Sequence, residues 1–203
     1  MTRVVVIDYG MGNLHSVSKA LEAVSASEEI VISSDHKIIK SADKIVLPGV
    51  GGIKDCMEAF SLDLKERVIE ELENKPTLAI CVGMQMLLKF SEENGGVEGL
   101  NILNGSITKI NSSHDVKVPH MGWNKVKRLG DHFLLRDIPD ESSFYFVHSY
   151  CCLKSEDAIT ETTHGNKFIS ALAKDNIFAV QFHPEKSQNS GLQLYKNFLD
   201  WSI

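Results

Sequence analysis

The 203-residue chain is predicted to adopt an α/β fold: a mostly parallel central sheet flanked by helices, with additional antiparallel strands in the C-terminal half. Two patterns predict this. In the first half, short β-rich runs alternate with stretches of helical periodicity, the mark of βαβ units and hence of a parallel sheet. In the second half, strand-like runs follow one another with few helical signals between them. No internal repeat, low-complexity tract or Pro/Ser-rich linker interrupts the chain. Its length suits one well-buried core, so a single domain over residues 1–203 is expected.

Val4 to Ile7 is the first strand-like run, followed by the turn Tyr9-Gly10-Met11-Gly12-Asn13 and a helical stretch from about Leu14 to Ala26. Lys44 to Leu47 is the next strand and ends on Pro48-Gly49-Val50-Gly51-Gly52. Leu64, Val68 and Leu72 recur every four residues among Lys65, Glu66, Glu70, Glu71 and Glu73, which describes an amphipathic helix with a solvated face. Pro76 ends it, Thr77 to Ile80 is a buried strand, and Val82 to Leu88 is helical. Beyond this, Ile102 to Ile110, Ser143 to Leu153 and Ile169 to Phe182 are strand-like. Lys174-Asp175-Asn176-Ile177 reads as a tight hairpin, because Asp and Asn tolerate the left-handed backbone of two-residue loops. A final helix covers about Ser190 to Trp201.

Composition removes several classes of function. At 43% hydrophobic and 24% charged, the chain is ordinary for a soluble globular protein. A formal net charge of -6, with no run of Lys and Arg, gives no footprint for nucleic acid or an anionic membrane. No stretch approaches the ~20 apolar residues of a membrane span. The apolar run between Met1 and Asp8 is too short for a signal-peptide core, so a cytoplasmic protein is expected. Cys56, Cys81, Cys151 and Cys152 form no C-x-x-C pair, which argues against a zinc ribbon or a disulfide framework. Neither a metal nor a cofactor is expected.

Cys81 stands where the strand Thr77-Leu78-Ala79-Ile80 meets the helix that starts at Val82. A nucleophile on a sharp strand-to-helix turn needs small residues two positions to either side, and Ala79 and Gly83 supply them. Unpaired N–H groups at a helix start favour thiolate over thiol. A buried, inert core cysteine at a strand end is an equal reading of this segment alone. In His183-Pro184-Glu185 the proline favours extended backbone at His183. Side chains two apart then point the same way, and Glu185 can orient the imidazole. A base held by a carboxylate activates a nucleophile, although a lone His beside an acid is more often structural.

The Pro48–Gly52 loop carries three glycines in five residues, so its backbone can approach a ligand closely. The amides of Val50 and Gly51, with that of Val82 after the nucleophile, are candidates for an oxyanion hole. A Walker loop would need a Gly-Lys-Ser or Gly-Lys-Thr that is absent here. The Tyr9–Asn13 turn lacks the third glycine of a dinucleotide site. A plain tight turn remains the alternative for both loops. In doubly wound sheets, loops after parallel strands converge, which brings the Pro48 loop, Cys81 and His183 together.

These segments together resemble the class I, triad-type glutamine amidotransferases. The resemblance is carried by Ala79-Ile80-Cys81-Val82-Gly83-Met84-Gln85 and Gln181-Phe182-His183-Pro184-Glu185-Lys186-Ser187. Asp8 to Leu14, Leu47 to Gly51, Val118 to Asn124 and Tyr145 to Tyr150 narrow it to the glutaminase subunits of imidazole glycerol phosphate synthases in histidine biosynthesis. The resemblance spans the first strand to the last helix. It implies a Cys81–His183–Glu185 triad that hydrolyses glutamine and passes ammonia to a (βα)8-barrel cyclase subunit in a heterodimer. It also implies that Gly49, Gln85, Glu93 and the segment His148-Ser149-Tyr150 hold glutamine. Asn13, Trp123, Tyr145 and Lys186 would lie on or near the docking face. A backbone flip at Gly49–Val50 would complete the oxyanion hole.

The chain departs from that pattern at three places. Ala79 stands where glycine is usual, Gly52-Ile53 where Ala-Phe is usual, and Cys151-Cys152 where a second tyrosine usually follows Tyr150. The triad is untouched, but other partners stay open: a paralogue feeding ammonia to another synthase, such as one aminating a nucleotide sugar, would carry the same triad. A stand-alone cysteine amide hydrolase and a silent binding module are the readings from other classes.

Overall fold

In the computed structural model, residues 2–60 and 62–203 are described, and among them thirteen strands join one sheet. The first half consists of β1 (Arg3–Ile7), α1 (Leu14–Val24), β2 (Glu29–Ser33), α2 (His36–Lys40), β3 (Lys44–Leu47), α3 (Ile53–Ala59), α4 (Leu62–Leu72), β4 (Thr77–Ile80) and α5 (Val82–Leu87). The second half consists of β5 (Phe90–Ser91), β6 (Val97–Glu98), β7 (Ser106–Lys109), β8 (His120–Arg128), β9 (Ser142–His148), β10 (Tyr150–Cys152), β11 (Ala158–His164), β12 (Asn166–Lys174), β13 (Ile177–Val180) and α6 (Gln188–Asp200). The fold is the expected α/β class.

The strand order is β2-β1-β3-β4-β13-β12-β10-β7-β5-β6, with β11 pairing β12 and β8, and β9 pairing β8. Strands β2, β1, β3, β4 and β13 are mutually parallel. From β13 to β12 the pairing turns antiparallel. The centre is apolar along whole strands, since β3, β4 and β13 are buried at every position. Sheets covered on both faces require such runs. In α4 the predicted stripe Leu64, Val68 and Leu72 is buried. No helix among the described residues is long and apolar enough to cross a membrane.

Several elements differ from expectation for local reasons. Helix α1 stops at Val24, because Glu28 accepts from the Ser25 hydroxyl and the Ala26 and Ser27 amides and folds that segment into a turn. The run Ile102 to Ile110 contracts to β7. The run Ser143 to Leu153 breaks at Ser149 into β9 and β10. The hairpin at Asp175-Asn176 forms as read, with Lys174 paired to Ile177 and Asp175 at φ 52°. The Asn176 amide donates to the Leu72 and Lys75 carbonyls at 2.6 Å each, which anchors the hairpin tip beside the start of β4. Buried Lys44 donates to the Phe198, Leu199 and Trp201 carbonyls, a cation at the C-terminus of α6 that fastens this helix to β3.

Candidate active site

Cys81 sits between β4 and α5 with φ 54° and ψ -110°, a backbone conformation L-residues seldom adopt. Its N–H donates to the Val180 carbonyl at 2.8 Å, and its carbonyl accepts from Gln85 N at 3.2 Å. The turn fits only because its neighbours are small. A Cβ on Gly83 would stand 2.1 Å from the Leu47 carbonyl oxygen, and one on Gly49 2.5 Å from Gly83 N. Ala79 is accommodated within the sheet, level with Ala179 and Leu47 of the flanking strands. Gly83→Ala is therefore expected to cost roughly 3 kcal/mol or more, the upper range for overpacking. The denaturant midpoint measures this, and an unchanged midpoint would show that the elbow can relax.

Because β13 lies beside β4 in parallel register, with Val180 level with Ile80, the chain leaves β13 next to Cys81. His183 is extended, as Pro184 requires, and its N–H donates to the Tyr145 carbonyl at 2.8 Å. Glu185 reaches the ring through a single 3-10 turn, Pro184–Lys186, rather than through the alternation of a strand. His183 Nδ1 and Glu185 Oε1 are 2.8 Å apart with both side chains enclosed, and the same oxygen accepts from Asn13 Nδ2 at 3.3 Å. Burial alone would lower the imidazole's proton affinity. The charges of Cys81 and Glu185 outweigh it and push His183 up to about 10. Nε2 makes no hydrogen bond of sound geometry.

Cys81 is 3% exposed, yet it faces a cavity of about 590 Å³. The cavity wall includes His183, the residues Gln85, Glu93, His148, Ser149 and Tyr150 named for glutamine, and Val50, Gly51 and Val82; Asn13 and Lys186, expected on or near a docking face, line it as well. Gly12, Pro119 and Val147 also line it and were not foreseen. Gly49 is absent from the wall: it lies behind the loop, its carbonyl accepting from Val82 N at 3.3 Å. The Val82 amide, a candidate oxyanion donor, is thus occupied. On either side of Gly49, Tyr9 donates to the Pro48 carbonyl at 2.7 Å and Cys56 to the Val50 carbonyl at 3.3 Å. Glu93 accepts from the Ile53 amide at 3.1 Å, which commits one carboxylate oxygen to the start of α3.

Gln181 was missed as a site residue. It is fully buried, donates to Cys81 Sγ at 3.7 Å, and accepts from Gln85 Nε2 at 3.0 Å. A glutamine in an otherwise apolar run was the available signal, since buried amides need partners. Of the residues expected at a docking face, Trp123 is 49% exposed and meets Tyr145 edge to face at 6.1 Å. Lys186 Nζ stands 5.7 Å from the Tyr145 ring. The Asn13 amide donates to Glu185.

His148, in the wall, pairs at 2.9 Å with His120, which does not line the cavity. Burial, then the charge of neighbouring histidines, depresses His120 to about 3, and burial depresses His148 to about 4. The folded state thus prefers neutral rings, whereas the unfolded chain binds these protons near pH ~6.5. Their stabilisation is present above that pH and declines as pH falls from ~6.5 through about 4 towards about 3. Denaturant titrations across that window should show a falling midpoint; a flat profile excludes a buried neutral pair.

Residues 5–201 match the family described as glutamine amidotransferase class-I. Imidazole glycerol phosphate synthase subunit HisH of Acinetobacter baylyi is 51% identical over 207 residues, covering 100% of both chains. The protein of the same name from Nitrosococcus oceani is 50% identical, covering 100% of this chain and 99% of its own. Among solved structures, PurLQS from Thermotoga maritima superposes with a TM-score of 0.73 at 17% identity, covering 98% of each chain, which speaks for the fold alone. With a family match across nearly its whole length and relatives identical at half of all positions, the chain belongs to the class I glutamine amidotransferases.

Proposed function

We propose that this protein is the glutaminase subunit of an imidazole glycerol phosphate synthase, hydrolysing glutamine with Cys81, His183 and Glu185 and delivering ammonia to a cyclase subunit in histidine biosynthesis. The full-length identity to subunits of that name carries the reading, and the enclosed Cys81, His183 and Glu185 cluster supports it. Cys81 thiolate attacks the side-chain amide carbon of glutamine, and the carbonyl π electrons move to oxygen. His183 gives its proton to the departing nitrogen, which leaves as ammonia when the C–N bond breaks. Water, deprotonated by His183, then attacks the thioester and releases glutamate and the thiolate. Glu185 holds the ring and balances its charge. Gln181 steadies the sulfur as it gains and loses charge.

The amides that receive the oxyanion are those of Val82 and of Val50 or Gly51. The Gly49 carbonyl sits on the Val82 amide in this conformation, so the Gly49–Val50 peptide must rotate before turnover. Ammonia in neutral water is quickly protonated, and a partner that both docks and triggers this rotation would couple supply to demand. Among the described residues no eightfold βα repeat is present, and in this reading a cyclase subunit supplies the acceptor chemistry. The Trp123–Tyr145–Lys186 surface beside the cavity is where that chain would dock.

The test is glutamine turnover by the lone chain and by its mixture with a (βα)8 cyclase subunit. Freeing one oxyanion donor is worth about a hundredfold in rate, so stimulation of at least that size is expected. Full activity of the lone chain would instead favour a self-sufficient amide hydrolase.

A further inference from the structure

Among the buried polar groups that the reaction does not use is the histidine pair across β8 and β9. His120 and His148 stand opposite one another in register, 4% and 7% exposed. The Tyr150 carbonyl can only accept, so His148 Nδ1, 2.8 Å away, carries the proton. Nε2 of the neutral ring is then an acceptor, and His120 Nδ1 must donate to it. That leaves His120 Nε2 to accept from the Asn124 amide at 3.1 Å, whose nitrogen also donates to the Thr163 carbonyl at 2.9 Å. Every ring nitrogen is used and every proton has one place. An extra proton on either ring would set donor against donor.

This chain ends at the cavity wall. The Tyr150 carbonyl also accepts from Gln85 Nε2 at 3.3 Å, and the Ser149 carbonyl from the Ile110 amide at 2.9 Å. The segment 149–150 is therefore held from behind by its carbonyls. The other end lies on β8, where Met121 and Trp123 turn to solvent, 62% and 49% exposed. We propose that His120 is a positioning residue for the glutamine pocket: through His148 it holds Ser149 and Tyr150 as the wall that receives the amino-acid end of the substrate, and it ties that wall to β8. The proposal rests on reading the cavity as a glutamine site.

Ring packing offers a rival role, since His120 stacks on Phe146 at 4.9 Å and on His164 at 4.1 Å. The two roles rank variants in opposite order. His120→Phe keeps a stacked ring and removes the relay. His120→Asn loses the ring but places an amide donor where Nδ1 was. The full chain, bound to a (βα)8 cyclase subunit, is to be alkylated at Cys81 with acivicin, an amino-acid-shaped electrophile, and separately with iodoacetamide, which has no amino-acid end.

His120→Phe is expected to raise the half-saturating acivicin concentration about tenfold, the factor one hydrogen bond can supply, with the iodoacetamide rate unchanged. His120→Asn should return to within about threefold of the parent chain. A parent-like Phe variant, or an Asn variant no better than Phe, overturns the proposal. If His120→Phe does not unfold cooperatively, Asn124→Ala decides: a rise of about threefold supports the relay and no rise overturns it. Failure of acivicin to label the unaltered chain at Cys81 removes the glutamine-site reading, and the proposal with it.

Discussion

Cys81→Ala is expected to abolish glutamine hydrolysis, lowering kcat by roughly 10⁴-fold or more, the scale seen when a nucleophile is removed from a working triad. The effect is this large because no neighbouring group can replace the sulfur: Cys56, Cys151 and Cys152 are buried and do not line the cavity. Alanine also suits the site badly in one respect. The position has φ 54°, so any non-glycine residue there is strained, and alanine inherits the strain without the chemistry. The fold should nevertheless persist, since the hydrogen bonds of the elbow are made by its backbone. Glutamine turnover in the presence of a cyclase subunit measures the loss. The ammonia-dependent reaction of that partner, supplied with external ammonium, should continue. Retained glutaminase activity in this variant would remove Cys81 from the mechanism.

Glu185→Gln should cost about 10³- to 10⁴-fold in kcat while leaving the fold intact. The side chain is enclosed, and Oε1 meets both His183 Nδ1 and the Asn13 amide. Glutamine can fill that space, but it removes the negative charge that helps hold His183 near 10. The proton affinity of the imidazole then falls, and the ring is free to take the tautomer in which Nδ1 accepts. Rate against pH in the presence of the partner is the discriminating measurement. If His183 draws its proton affinity from Glu185 as well as from Cys81, the limb assigned to the imidazole moves to lower pH. A variant with unchanged rate and profile would assign Glu185 to packing alone.

What the sequence revealed of this site follows from how local each signal is. The elbow was legible because Cys81 and its small neighbours Ala79 and Gly83 lie within one strand–turn–helix segment. His183 and Glu185 were legible as a pair, though their geometry was misjudged, since a 3-10 turn replaces the extended chain. Gln181 was hidden because its partners, Gln85 and Cys81, lie about a hundred residues away. The His120–His148 pair depends on the register of β8 against β9, which no run of residues states by itself. Edge elements were lost for another reason. β2 is half-buried throughout, α2 is five residues long, and only Ile53 and Cys56 of α3 are buried. Too few positions are then constrained to show a period. Asn13, Trp123, Tyr145 and Lys186 were named only through family resemblance, and the contact of Asn13 with Glu185 could not have been read from spacing.

Strand β13 slots between β4 and β12, in the middle of the sheet, although it is the last strand to be synthesised. The elbow itself leans on that strand, since the Cys81 N–H donates to Val180. If His183 is the base, a chain cut before β13 has neither the elbow's full set of hydrogen bonds nor an imidazole beside the thiol, and it is expected to release no ammonia.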